Sequence, residues 1–178
     1  DVDYYWSQWN SEIMIKQFKE AVALQPDGIA IYGFPGDAAM RPIINEAREM
    51  GIVITTMNTP LPDLEAELKT TGFGYAGADL FAAGFNLGKK GVEVCGLEAG
   101  DKAFVWGLAS MPNRGERTKG AIAGVESMGV EVVYQEIPDN VNSDASQGTP
   151  MYVATYSANP DIKMAITDHG GLTASLPT

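Results

Sequence analysis

One short word occurs twice in this chain and constrains its fold more than any other feature. Leu24-Gln25-Pro26-Asp27-Gly28-Ile29-Ala30-Ile31 closes a helical pattern and opens an apolar run. Ala158-Asn159-Pro160-Asp161-Ile162-Lys163-Met164-Ala165-Ile166 does the same much later. Proline ends helices and biases its predecessor to extended backbone, so each word reads as helix end, turn and buried strand. The recurrence predicts two similar α/β halves. Two such halves facing each other enclose a cleft suited to a small ligand.

The rest of the chain repeats the alternation. Strands are expected over residues 2–6, 28–32, 52–56, 72–76, 102–106, 131–136 and 162–166. Met14, Ile15, Phe18, Ala21 and Val22 recur at helical spacing between the first two, and Met40, Ile43, Ile44 and Ala47 between the next two. Residues 63–71 read as a short helix or loop, and 82–94 as a helix in which Gly84 and Gly88 permit close backbone packing. Alternating strands and helices specify a parallel sheet with right-handed crossovers. The polar break Glu98-Ala99-Gly100-Asp101 is the expected boundary, giving an N-terminal lobe over 1–99 and a C-terminal lobe over 100–178. The fold class expected is therefore α/β, two Rossmann-like lobes with helix-flanked parallel sheets and a ligand cleft between them.

Charge and composition exclude several functions. A formal net charge of -11 argues against nucleic acid or an anionic membrane as partner, since both attract basic surfaces. No apolar run approaches the roughly 20 residues that span a bilayer, and no signal peptide is visible. Cys95 is the only cysteine and His169 the only histidine, so neither an intrachain disulfide nor a familiar multi-histidine metal site is expected. Cys95 is expected to be a small buried side chain. No cofactor is called for, because the Gly33-Phe34-Pro35-Gly36 loop lacks both nucleotide-binding glycine patterns.

Ligands of open parallel sheets sit outside the carboxyl ends of the strands. That rule selects the loops 33–37, 58–62, 77–79, 108–117 and 167–171, with 140–144 as a sixth. Arg117 opens a helix and offers a planar fork of donors to hydroxyls or carboxylates; a surface cluster with Glu116 and Arg114 is an equal alternative. Asn58 and Thr59 follow a buried strand, as ligand groups or as turn formers before Pro60. Asp79 reads as a helix cap with a second oxygen to spare. Asp168 and His169 follow the last strand, as hydrogen-bonding groups or as a cap with a solvent-facing imidazole. Trp106 reads as core, whereas Trp6 or Trp9 is a minor candidate for stacking on a sugar. Ser110 has no base nearby in sequence, and no catalytic constellation emerges.

Several segments taken in order resemble the type I periplasmic sugar-binding proteins of bacterial ABC transporters. They are Pro26-Asp27-Gly28-Ile29-Ala30-Ile31 with Gly36-Asp37-Ala38; Ala47 through Gly51-Ile52-Val53-Ile54-Thr55; and Gly77-Ala78-Asp79 with Ala83-Gly84 and Gly88. Pro112-Asn113 with Arg117-Thr118-Lys119-Gly120, and Asn159-Pro160-Asp161-Ile162 with Thr167-Asp168, continue the series. The resemblance implies a two-lobed binder that closes on a sugar, polyol or sugar acid and delivers it to a membrane permease. It implies ligand contacts from Tyr32, Gly33, Phe34, Asn58, Thr59, Asp79, Leu108, Asn113, Arg117, Thr167, Asp168 and His169. It implies a periplasmic location, or a lipoprotein at the cell surface. Asn58 and Thr59 stand where the ribose branch has a charged pair, so ribose is disfavoured; Ser143 stands where the family often has an aromatic, so stacking must come from elsewhere or be absent. Complete members carry roughly a hundred residues more, which implies lobes lacking segments at both ends. The effector-binding core of a LacI-type repressor shares this fold, and a small α/β sugar-processing enzyme is a third reading.

Overall fold

The structure, a computed structural model, describes residues 1–176. Its contacts divide the chain into two compact units. The first comprises Asp1–Ala78 and Met111–Arg114; the second comprises Asp79–Ser110 and the chain from Gly115 onward.

The first unit begins with helix α1 (Ser11–Ala23), capped by Asn10, whose side chain accepts from the Ile13 amide at 2.9 Å. Strand β1 (Gly28–Ile31), helix α2 (Asp37–Glu49), strand β2 (Val53–Met57), helix α3 (Pro62–Leu68) and strand β3 (Gly74–Ala76) follow. The strands form a parallel sheet in the order β1-β2-β3, with Ile29 opposite Ile54 and Thr55 opposite Gly74. The apolar stripe expected on α2, Met40, Ile43, Ile44 and Ala47, is buried with Phe18, Val22, Ile54, Leu61 and Leu64. Burial of aliphatic side chains of this size stabilises by about 1.5–3 kcal/mol each.

Residues 2–6 do not form the expected strand; they run without regular structure. Aromatic and β-branched residues supply strand propensity, but a strand also needs a neighbour to bond. Here the Trp6 carbonyl accepts from Gln17 Nε2 at 3.1 Å instead. The segment and β1 both line a cavity of about 650 Å³, together with Trp9, Phe18 and others.

In the second unit, helix α4 (Leu80–Cys95) precedes strand β4 (Lys102–Gly107), helix α5 (Glu116–Glu126) and strand β5 (Glu131–Glu136). Helices α6 (Asp139–Ser143) and α7 (Gly148–Ala158), strand β6 (Ile162–Thr167) and helix α8 (Gly170–Ser175) complete it. The parallel order is β5-β4-β6, so β4 is central, and from Ala103 to Gly107 it is buried throughout. Val92, Val105, Ala121, Val125 and Ile166 pack in one core layer. Trp106 is fully buried, as expected, and meets the Tyr152 ring edge-on at 6.0 Å.

Helix α4 packs on α5, and the chain passes between the units at Ala78/Asp79. The physical reason is a pair of glycine steps. A Cβ on Gly84 would lie 2.0 Å from the Arg117 carbonyl oxygen, and one on Gly120 would lie 2.1 Å from that of Phe81. Gly88 and Gly124 repeat the arrangement one turn further on. Backbone meets backbone along this seam, which ties α4 to the second unit.

Cys95 is exposed, contrary to expectation. It is the last residue of α4, where the helix has passed beyond its buried stripe of Gly84, Gly88 and Val92 and turns off at Gly96. Cys95 should therefore react with Ellman's reagent in the folded protein without denaturant. Reaction seen only after adding denaturant would place the thiol inside.

Candidate ligand-binding site

The loops at the carboxyl ends of the strands, with the helix starts that follow them, hold buried polar side chains such as Thr59, Thr118 and Asp168, and each unit builds its own set. In the first unit, the loop after β1 lies against the loop after β2. The Gly33 amide donates to the Thr59 carbonyl at 2.9 Å. A Cβ at Gly33 would stand 2.6 Å from the Pro60 carbonyl, so only glycine permits this approach. Phe34 is 1% exposed and Thr59 fully buried, so both serve packing. Tyr32 is half-buried and stacks on Trp9 with ring centroids 5.7 Å apart. Asn58 is exposed, with φ of 60°, and its carbonyl accepts from the Tyr75 hydroxyl at 3.0 Å.

Asp37 escaped the sequence reading as a site residue in its own right. Its Oδ1 accepts from the Leu64 amide at 3.0 Å, and its Oδ2 from Asn113 Nδ2 at 3.0 Å. One carboxylate thus ties the start of α2, the start of α3 and the segment 111–114 together. An aspartate opening a helix after Gly36 signals a favourable charge at the helix start, but its long-range partners leave no mark in the sequence.

In the second unit, Asp79 caps α4 by accepting from the Ala82 amide at 2.9 Å. The loop after β4 and the start of α5 converge on the end of β6. Arg117 Nε donates to Asp168 Oδ1 at 2.6 Å, and Thr118 Oγ1 donates to Asp168 Oδ2 at 2.6 Å. Thr118 Oγ1 in turn accepts from the Leu108 amide at 3.0 Å. Asp168 is 6% exposed and the Arg117 side chain 38% exposed. The carboxylate is therefore buried and paired, while the guanidinium reaches from it toward the surface. Such an arrangement pre-orients an arginine fork for hydroxyl or carboxylate oxygens.

Leu108 is buried beside this network, and Thr167 exchanges a hydroxyl contact with Thr173 at 3.0 Å. His169 is engaged at both ring nitrogens. Nδ1 accepts from the Leu172 amide at 3.3 Å, capping α8, and Nε2 lies 3.3 Å from the Asn142 carbonyl. That pairing makes Nε2 the protonated nitrogen and the imidazole a structural brace. Arg117, Thr118, Leu108, Asp168 and the loop carrying His169 are thus brought to one sheet end. Thr118 was seen in sequence only as part of the Arg117 segment; its role depends on the turn of α5 that aims it at Asp168.

Thr118→Val tests the network. It removes the hydroxyl linking Leu108 to Asp168 while keeping the shape, and it leaves a buried amide without its acceptor. Urea unfolding should show a loss of about 2 kcal/mol, and a variant as stable as the parent would mean the bridge contributes nothing.

Parallel α/β units with polar strand-end loops define a class of ligand-binding modules. Residues 1–175 match the profile of the periplasmic binding protein domain, and the chain belongs to that family. No curated protein matches it significantly. Among solved structures it is similar to GanP, a glucose-galactose binding protein from Geobacillus stearothermophilus, with 22% identity and a TM-score of 0.74. That match covers 94% of this chain and 56% of GanP. A solute-binding protein from Burkholderia graminis in complex with D-arabinose matches at 19% identity and a TM-score of 0.74, over 95% and 56% of the two chains. One from Actinobacillus succinogenes with bound D-allose matches at 21% and 0.74, over 94% and 57%. The chain thus spans little more than half the length of these proteins.

Proposed function

We propose that this protein is the solute-binding component of an ABC transporter, taking a sugar or sugar-like polyol or acid and delivering it to a membrane permease. The observation that carries the reading is the Arg117–Asp168–Thr118 network at the carboxyl ends of β4 and β6. It lies in a chain of the periplasmic binding protein family whose structural neighbours include proteins solved with bound sugars. Arg117 is assigned as the principal donor to ligand oxygens, with Asp168 and Thr118 holding it. Leu108 and Thr167 border it in the second unit. In the first unit Tyr32, Gly33 and Asn58 are assigned to the ligand, while Phe34 and Thr59 shape the loops that carry them. Asp79 and His169 act mainly as caps, and Asn113 acts through Asp37.

The protein is proposed to bind without turnover and to work outside the cytoplasm. Among the described residues no helix is long and apolar enough to cross a membrane. A thermal-shift screen against D-glucose, D-galactose, D-arabinose, D-allose and L-rhamnose, with their acids, tests the reading on the protein as its natural gene encodes it. A true ligand at a hundred times its Kd stabilises by about 2.7 kcal/mol, a melting shift of roughly 5–11 °C. The ligand should be recovered unchanged. Absence of any shift at millimolar concentrations, or conversion of the ligand, would overturn the proposal.

A further inference from the structure

Two parallel relays of hydrogen bonds leave the loop after β4. In the first, the Leu108 amide donates to the Thr118 hydroxyl, which donates to Asp168. In the second, the next amide, that of Ala109, donates to the Tyr134 hydroxyl at 2.9 Å, and Tyr134 donates to Glu136 Oε2. The order is the same in both: amide, hydroxyl, carboxylate. The first ends on the residues assigned to the ligand. The second ends on a carboxylate to which no role has been given.

Glu136 closes β5, so it stands at the same sheet end as Asp168. Its other oxygen, Oε1, accepts from the Ser110 hydroxyl at 2.7 Å. The two carboxylates are reached from adjacent amides of one loop, Asp168 through Thr118 from Leu108 and Glu136 through Tyr134 from Ala109. Burial, reinforced by the bond to Glu136, holds that phenol above its ordinary range, so it stays protonated and keeps donating. Here the two relays differ. Asp168 is buried and paired with Arg117, whereas Glu136 is half-buried, beside an exposed Ser110, and accepts from the Tyr134 and Ser110 hydroxyls and the Ser110 amide. Glu136 thus adds a second carboxylate to the sheet end that holds Asp168.

Resting on the sugar-binding reading, we propose that Glu136 is a further specificity residue of the same site, accepting a ligand hydroxyl and selecting neutral sugars or polyols against sugar acids. A carboxylate fixed by two hydroxyl donors retains lone pairs for a third. It therefore rewards a ligand that donates and repels one that brings its own carboxylate. Tyr134 and Ser110 are positioning residues in this scheme.

Glu136→Gln keeps the shape and removes the charge. Calorimetry on the protein as its natural gene encodes it, with D-allose, D-arabinose, D-galactose and D-glucose against D-gluconate and D-galacturonate, reads the effect. The parent should prefer a neutral sugar by a hundredfold or more. E136Q should bind that sugar roughly tenfold more weakly and lose at least tenfold of its preference over the acids. Glu136→Asp retains the charge, so it should weaken sugar binding yet still reject acids; it serves as well if E136Q folds poorly. A parent that prefers an acid overturns the inference, and so does an E136Q variant with an unchanged ratio of neutral to acidic affinity. Binding of neither class by the parent refutes the sugar reading itself, and the inference falls with it.

Discussion

Replacing Gly84 by alanine should lower stability by about 3 kcal/mol, a fall in melting temperature of roughly 6–12 °C. The added methyl group would meet the Arg117 carbonyl at 2.0 Å and the Ala121 amide nitrogen at 2.9 Å. Both are backbone atoms of α5, so no side chain can swing aside. The two helices must separate, and the close contacts at Gly88, Gly120 and Gly124 loosen with them. Gly91 on the same helix is the internal control. A Cβ there would meet only the flexible Met164 side chain, its sulfur at 3.0 Å. Alanine is also the better helix former by about 1 kcal/mol, so Gly91→Ala should be neutral or slightly stabilising. Equal melting temperatures for the two variants would show that the seam is not close-packed. Because the Gly84 contact is with Arg117 itself, Gly84→Ala should also disturb ligand binding. Gly84→Ala and Gly120→Ala together should cost less than their sum, since the helices need to part only once.

Arg117→Ala carries the second large effect, on binding. Removing the guanidinium takes away a charged donor to the ligand and the ion pair to a carboxylate that is 6% exposed. Hydrogen bonds involving a charged group contribute about 1.5–3 kcal/mol, so ligand affinity should fall roughly 10- to 100-fold. Stability should fall less than in the glycine variant, because Thr118 still bonds Asp168 and the arginine is itself partly solvated. Arg117→Lys retains the charge without the planar fork and should fall between parent and alanine variant. Titration calorimetry on the naturally encoded protein checks both, with circular dichroism confirming the fold. Unchanged affinity in the alanine variant would remove Arg117 from the site.

Much of the architecture was legible residue by residue. The Pro-Asp word placed the entry to β1 and β6 correctly, because proline and the following apolar run act locally. The stripe Met40, Ile43, Ile44 and Ala47 predicted the buried face of α2 for the same reason. The failures share a different cause. Residues 2–6 have strand-like side chains, but a strand is a pairing, and among the described residues this segment pairs with none. Cys95 is apolar in type, yet its exposure depends on where α4 stops relative to its neighbour.

The site shows the same division. The alternation of strands and helices, with the rule that ligands sit outside strand carboxyl ends, pointed to the loops carrying Arg117 and Asp168. Their pairing across 51 positions, and the bond between Glu136 and Ser110 across 26, did not show in sequence. Hydrogen bonds act over about 3 Å, so they depend on which strand lies beside which. By itself the sequence determined the alternation of strands and helices, the polar character of the strand-end loops and the acidic surface, since each follows from local chemistry. Only the tertiary structure decided the rest. It set helix α4 against α5 through four glycines, turned His169 into a brace, and brought Asp168 and Glu136 to one end of a sheet, because those outcomes depend on distances between residues far apart in the chain.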